Sequence, residues 1–141
     1  MKTFFYICAG WALLATAFSC NQLGDTPTNN TGDFENFYRR FHEDEAYQMA
    51  HITFPLEGLP AHADSELLAA GTFRWDTEDW EPHRSFDTTN GEFRRELTAL
   101  GDDLVIEKIV HRSGAFGTLR RFARLGGEWY LIYYAGMNRM Q

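Results

Sequence analysis

The pattern of hydrophobic and polar positions changes character three times along the chain. From Phe4 to Phe18 nearly every residue is apolar. From Asn21 to Gly32 (NQLGDTPTNNTG) the residues are polar, rich in Asn, Thr and Gly, and show no period. Phe34, Phe37, Tyr38 and Phe41 then recur at i, i+3, i+4 and i+7, which is one face of a helix. Gly32 breaks what precedes and Asp33 is placed to cap, so the spacing predicts a helix over Asp33–His42. Glu35, Arg39, Arg40 and Glu43 take its outer side. A second short helical piece, Asp44–Ala50, follows. Ile52, Phe54 and Leu56 alternate as a strand, and Pro55, which cannot donate to a ladder, marks that strand as an edge. Ser65–Ala70 has the look of one or two helical turns closed by Gly71, and residues 72–92 are irregular.

From Phe93 onward the pattern is a meander. Strands are predicted over Phe93–Leu100, Leu104–Arg112, Phe116–Leu125 and Glu128–Ala135. Gly101-Asp102-Asp103, Ser113-Gly114 and Gly126-Gly127 turn between them. A two-residue Gly-Gly link suits a primed hairpin turn, which needs positive φ, and it fixes register. Leu125 then faces Glu128, Arg124 faces Trp129, Phe122 faces Leu131 and Arg120 faces Tyr133. Arg124 over Trp129 and Arg120 over Tyr133 are expected as cation–π pairs of about 0.5–1 kcal/mol each. Leu119, Ala123, Tyr130, Ile132 and Tyr134 take the other face. Both faces are apolar, so the sheet is covered or curved around something. The class is α+β.

Composition narrows the function classes. The chain has 141 residues, enough for about one domain. Hydrophobic residues are 44% and aromatics 16%, which excludes a disordered or low-complexity chain. The net charge is −7 with no basic stripe, so nucleic acid is excluded as a partner, because phosphate binding needs clustered Lys and Arg. Two cysteines exclude a disulfide scaffold.

The beginning of the chain is an address. Lys2 precedes the apolar run, which has the length of a signal-peptide core and is short for a membrane span. It ends at Ala17-Phe18-Ser19-Cys20, which resembles the lipobox of bacterial lipoproteins, although Ala17 stands where Leu is usual. The resemblance implies a signal peptide over residues 1–19 and diacylation of Cys20, which becomes the first mature residue. Several acyl chains anchor stably, since each buried CH₂ contributes roughly 0.8 kcal/mol. Cys8 leaves with the signal, so no internal disulfide can form. Residues 20–32 are a flexible tether, and residues 33–141 form one domain filled largely by aromatic side chains.

Phe34, Phe37, Phe41, Asp44, Tyr47-Gln48 and Ile52-Thr53-Phe54-Pro55-Leu56 together resemble a Bacteroidetes lipoprotein family of unknown function. The resemblance is specific over Phe34–Leu56 and looser through Trp75, Trp80 and Trp129-x-Leu131. It departs at His51, where Arg is expected. It implies an NTF2-like (cystatin-like) fold, with N-terminal helices packed on a curved antiparallel sheet. It transfers fold and location but no catalytic residues, since one scaffold hosts many functions.

The candidate sites each have a plainer counterpart. His42-Glu43-Asp44-Glu45 with His51 lacks the i, i+4 His spacing of a helical metal pair, so a solvated helix end is favoured and no metal or cofactor is expected. His62-Ala63-Asp64 offers a His oriented by a carboxylate, but no nucleophile stands beside it. Asp87-Thr88-Thr89 resembles an acceptor for bacterial O-glycosylation, and a simple turn explains it as well. Arg120, Arg121 and Arg124 with Arg94, Arg95 and Arg112 could line an anion pocket, but pairing with Glu96, Glu107 and Glu128 is the favoured reading. Trp75-Asp76-Thr77-Glu78-Asp79-Trp80-Glu81-Pro82-His83 is the richest stretch. Trp75, Asp76, Asp79, Trp80 and His83 could bind a sugar, rings stacking on the pyranose and acids accepting hydroxyl protons. The same acids could serve an isomerase or hydratase pocket. The pattern favours indoles packed against the sheet with the acids in solvent.

The sequence therefore supports a lipid-anchored, envelope-facing protein held to the membrane through acylated Cys20. It has no nucleophile–base motif, metal spacing or phosphate loop, which favours a non-enzymatic module binding a protein partner, a small ligand or a glycan. A small-molecule enzyme with an acidic/His pocket in the sheet hollow is the alternative. A purely structural envelope subunit is a third.

Overall fold

The computed structural model describes residues 30–140. The expected signal peptide, Cys20 and the tether up to residue 29 lie outside the described residues. Two helices open the fold, α1 (Asn30–Glu43) and α2 (Glu45–Ala50). Then come β1 (Ile52–Leu59), α3 (Ser65–Ala70), β2 (Arg74–Trp75) and a 3₁₀ turn (Thr77–Asp79). The chain ends in β3 (Phe93–Ala99), β4 (Leu104–His111), β5 (Phe116–Leu125) and β6 (Glu128–Arg139). The six strands form one sheet in the order β2-β1-β6-β5-β4-β3.

The local signals explain most of these elements. Asp44 Oδ1 accepts from the Tyr47 amide at 2.9 Å, so it caps α2. Asp64 does the same for α3 through the Leu67 amide at 2.8 Å, and Gly71 closes that helix in the left-handed region. α1 starts at Asn30, ahead of Asp33, so the helix takes in the end of the polar segment. Asp33 lies in its first turn and accepts from Arg124 Nη2 at 2.6 Å rather than serving as the cap.

Helix α1 lies across one face of the sheet and drives its aromatic stripe into it. Phe122 of β5 is fully buried at the centre. It receives Phe34, Phe37 and Phe41 edge-on, with centroids at 5.4, 5.8 and 5.7 Å. Ile52, Leu56, Val105, Trp129 and Leu131 complete this core. Edge-to-face geometry suits the ring quadrupoles and adds to what burial alone gives.

Three expectations about the sheet are corrected. Pairing is antiparallel except between β1 and β6, which run parallel, so the sheet is mixed. Strand β1 is not an edge, because two-residue β2 flanks it. Pro55 is tolerated because it falls in the irregular stretch between Ile52 and Glu57, where no regular ladder bond is lost. The β5–β6 register holds from Leu125/Glu128 to Phe122/Leu131 and then slips by one residue. Arg120 therefore faces Tyr134, and Arg121 faces Tyr133 with its guanidinium 4.5 Å from the ring centre. Arg124 is opposite Trp129 as expected, but its guanidinium goes to Asp33 and to the Gly127 carbonyl.

Candidate functional site

The hollow between α1 and the sheet is not wholly apolar. Glu107 sits on the inner face of β4, between Val105 and Ile109, and is 1% exposed. Its Oε1 accepts from the Tyr38 hydroxyl at 2.6 Å and from Arg95 Nε at 2.7 Å, and its Oε2 accepts from Arg120 Nη1 at 3.0 Å. The register of β4 and β5 sets Glu107 directly opposite Arg120. Arg95 has a second carboxylate at 3.6 Å, Glu35 of α1. Two guanidiniums and two carboxylates thus balance in charge. Burial pushes the Glu107 carboxyl up, but the Arg120 charge with the Tyr38 and Arg95 bonds outweighs it and holds the group below its usual range. The Tyr38 phenol is pushed well up, by burial first and by Glu107 second.

Arg120 also fixes the protonation of two histidines. A guanidinium only donates. Its Nη1 lies 3.1 Å from His42 Nε2 and its Nη2 lies 3.2 Å from His83 Nδ1, so both of those nitrogens accept. The proton of His42 must then sit on Nδ1, which lies 2.8 Å from the Tyr38 carbonyl and donates to it. The proton of His83 must sit on Nε2. Burial pushes His42 down to about 4 and His83 down to about 3, with the Arg120 charge acting in the same direction on both. Both rings are neutral near pH 7.

That depression predicts a pH dependence of folding. The unfolded rings protonate near the ordinary histidine value and the folded ones do not, so the unfolded state binds more protons below about pH 6.5. Each ring is therefore expected to remove up to about 1.4 kcal/mol of stability per pH unit between pH 6.5 and its folded value. Urea denaturation at pH 7, 6 and 5 checks this, with stability falling steadily as pH falls.

The segment after β2 is tied down by one side chain. Gln48 of α2 is 1% exposed. Its Nε2 donates to the carbonyls of Phe41 and His83 at 2.6 and 2.7 Å. Its Oε1 accepts from the His83 amide at 2.7 Å and from Trp80 Nε1 at 3.3 Å. Gln48→Leu leaves all four partners without it in a buried setting, and is expected to cost about 3 kcal/mol. Denaturation measures that loss, and faster hydrogen exchange at the His83 amide locates it.

The clamp places His83 on the lining of an open recess of about 280 Å³, with Trp75, Asp79, Trp80, Glu81 and Tyr134. The Trp75 indole spans β1 to donate to the Tyr134 carbonyl at 3.1 Å. It passes over Gly58, where a Cβ would overlap that same carbonyl, so only glycine admits this crossing. The Trp80 ring is edge-on to Trp75 and to Tyr134, at 6.1 and 5.5 Å. His83 lies 4.5 Å from both Trp80 and Tyr134.

No family profile and no curated protein matches the chain. Solved structures do resemble it. A cystatin-like protein from Bacteroides caccae is similar over 72% of this chain and 74% of that one, with a TM-score of 0.52 and 18% identity. An NTF2-like protein from Bacteroides fragilis is similar over 77% of this chain and 47% of that one, with a TM-score of 0.49 and 16% identity. This chain spans about half the length of the latter. The fold is cystatin-like.

Within this cystatin-like fold the nine-residue stretch expected to carry chemistry divides. Trp75, Asp79, Trp80 and His83 line one recess, while Asp76 stands outside it, at the start of the 3₁₀ turn. Trp80 also belongs to the core, and Asp76 and Asp79 are exposed, as the plainer reading has it. The arginines pair: Arg95 and Arg120 with Glu107, and Arg94 with Glu96 at 2.7 Å. His51 stacks on Tyr47 at 3.8 Å, and among the described residues no cluster of metal-ligating side chains forms. Asp64 is the α3 cap, and Asp87 accepts from the Thr89 amide and hydroxyl in a turn. Sequence reasoning missed Gln48, Tyr134 and the role of Glu107. The available signal for Glu107 was a single acid on the strand face that Val105 and Ile109 make apolar.

Proposed function

We propose that this chain is a lipid-anchored cell-envelope protein of the Bacteroidetes lipoprotein kind, whose NTF2-like domain is a non-enzymatic binding module. The recess beside Trp75, Trp80 and His83 is its ligand seat. The observation that carries the reading is the pairing of an aromatic-lined recess with a lining histidine that burial and Arg120 together keep neutral. Such a site offers shape and one fixed hydrogen-bond donor. It does not offer a histidine that exchanges protons near pH 7, which the isomerase- or hydratase-like alternative needs from an acid/His pocket. The Ala17-Phe18-Ser19-Cys20 sequence and the resemblance over Phe34–Leu56 support the anchor.

Fractionating cells that express Cys20→Ala tests the address. The wild-type protein is expected in the membrane fraction and to take up labelled fatty acid, and the variant is expected to lose both. A variant that stays in the membrane contradicts the lipid anchor. Turnover of any small molecule that Asp79→Asn abolishes contradicts the non-enzymatic reading.

A further inference from the structure

We infer that the recess takes a neutral pyranose sugar, held by the His83 Nε2–H on its lining, the exposed parts of Trp75 and Tyr134, and the carboxylates of Asp79 and Glu81. The inference rests on the binding-module reading and names its ligand class. Four observations carry it.

The first is the donor. Because Arg120 Nη2 occupies His83 Nδ1, the ring presents Nε2–H, and no partner within the described residues takes that proton. A ligand must bring an acceptor oxygen to it. The second is the aromatic lining. Trp75, Trp80 and Tyr134 pack against one another at 5.5–6.1 Å, two of the contacts near perpendicular, so the lining presents aromatic surface in different directions. This suits a compact ring with apolar C–H faces rather than a flat aromatic, which pairs with one surface only.

The third is the charge gradient. The Arg120 guanidinium stands beside His83 at 3.2 Å, so a cation against His83 is repelled despite the aromatic lining. Asp79 and Glu81 stand on the lining itself, so an anion is repelled there. A ligand that donates to the acids and accepts from His83 while carrying no charge is a polyol. The fourth is size. At about 280 Å³ the recess lies at the lower edge of roughly 300–1,000 Å³ for small-molecule sites, so it holds one ring rather than a chain.

The experiment is a titration of the full-length protein, followed by tryptophan fluorescence. The probes are glucose, galactose, mannose and N-acetylglucosamine, with glucuronate as the anionic control and choline as the cationic one. At least one hexose is expected to saturate the signal at millimolar concentration or below. Glucuronate and choline are expected to bind at least about tenfold more weakly. Asp79→Asn, at an exposed residue outside the core, is expected to fold normally and weaken the sugar about tenfold, a loss of one charge-assisted acceptor. Saturation by choline or glucuronate in preference to every hexose overturns the sugar class and leaves the binding module standing. A hexose that binds with Asp79→Asn unchanged overturns the placement in this recess. No saturation by any probe overturns both the sugar class and the recess as a ligand seat.

Discussion

Glu107→Ala is expected to lower the stability of the domain by about 3–5 kcal/mol, because it strips the partner from a buried charge. The loss falls chiefly on Arg120. Its side chain is 6% exposed, its other near neighbours are two neutral histidines, and its Nε already lies buried without a partner among the described residues. Arg95 suffers less, because it reaches solvent and keeps Glu35. The Tyr38 hydroxyl loses its acceptor as well. Replacing both members of the pair with apolar residues, as in Glu107→Leu with Arg120→Met, is expected to recover most of the loss, since neither charge then remains to be desolvated. Urea denaturation of the two variants and the wild type checks both statements. A single variant within about 1 kcal/mol of wild type contradicts the account of the hollow.

Phe122→Ala is expected to cost a similar 3–5 kcal/mol, by a different mechanism. Phe122 is fully buried and takes the edges of Phe34, Phe37, Tyr38 and Phe41 on one side of the sheet. Truncation opens a cavity that four rings and a strand cannot close by small shifts. Phe122→Leu keeps most of the volume and is expected to cost less than half as much. Thermal melting distinguishes the two, with a fall in Tm of roughly 15 °C for alanine on the usual scale for a domain of this size. Equal losses for alanine and leucine contradict a close-packed aromatic centre.

What could be seen in the sequence was whatever local chemistry decides. The spacing of Phe34, Phe37, Tyr38 and Phe41 gave α1 and its buried face. Asp44–Ala50 and Ser65–Ala70 were legible as short helical pieces, and Gly126-Gly127 gave the hairpin and three of the four named pairs. The rest depends on residues far apart in the chain. Nothing local says that β1 runs parallel to β6, and that pairing is what turns Pro55 from an edge marker into an interior irregularity. The one-residue slip between Phe122/Leu131 and Arg121/Tyr133 is likewise invisible, although it brings Tyr134 opposite Arg120 and so to the recess.

The candidate site was half legible for the same reason. Trp75, Asp79, Trp80 and His83 were recognisable by composition, but what gathers them is Gln48, thirty-five positions from His83. An amide at helix α2 gave no hint that its side chain would satisfy four buried groups. Gly58 proves to lie inside β1, where its missing side chain lets the Trp75 indole approach Tyr134.

The central claim is that Arg120, paired with Glu107, locks His42 and His83 as neutral rings with opposite tautomers beside the recess. Nitrogen-15 NMR of the imidazole rings tests it most directly. From about pH 8 to pH 5, the account predicts two histidines that do not titrate, one protonated on Nδ1 and one on Nε2. Either ring titrating near the ordinary histidine value of about 6.5 would contradict the account and reopen the case for proton-transfer chemistry in the hollow.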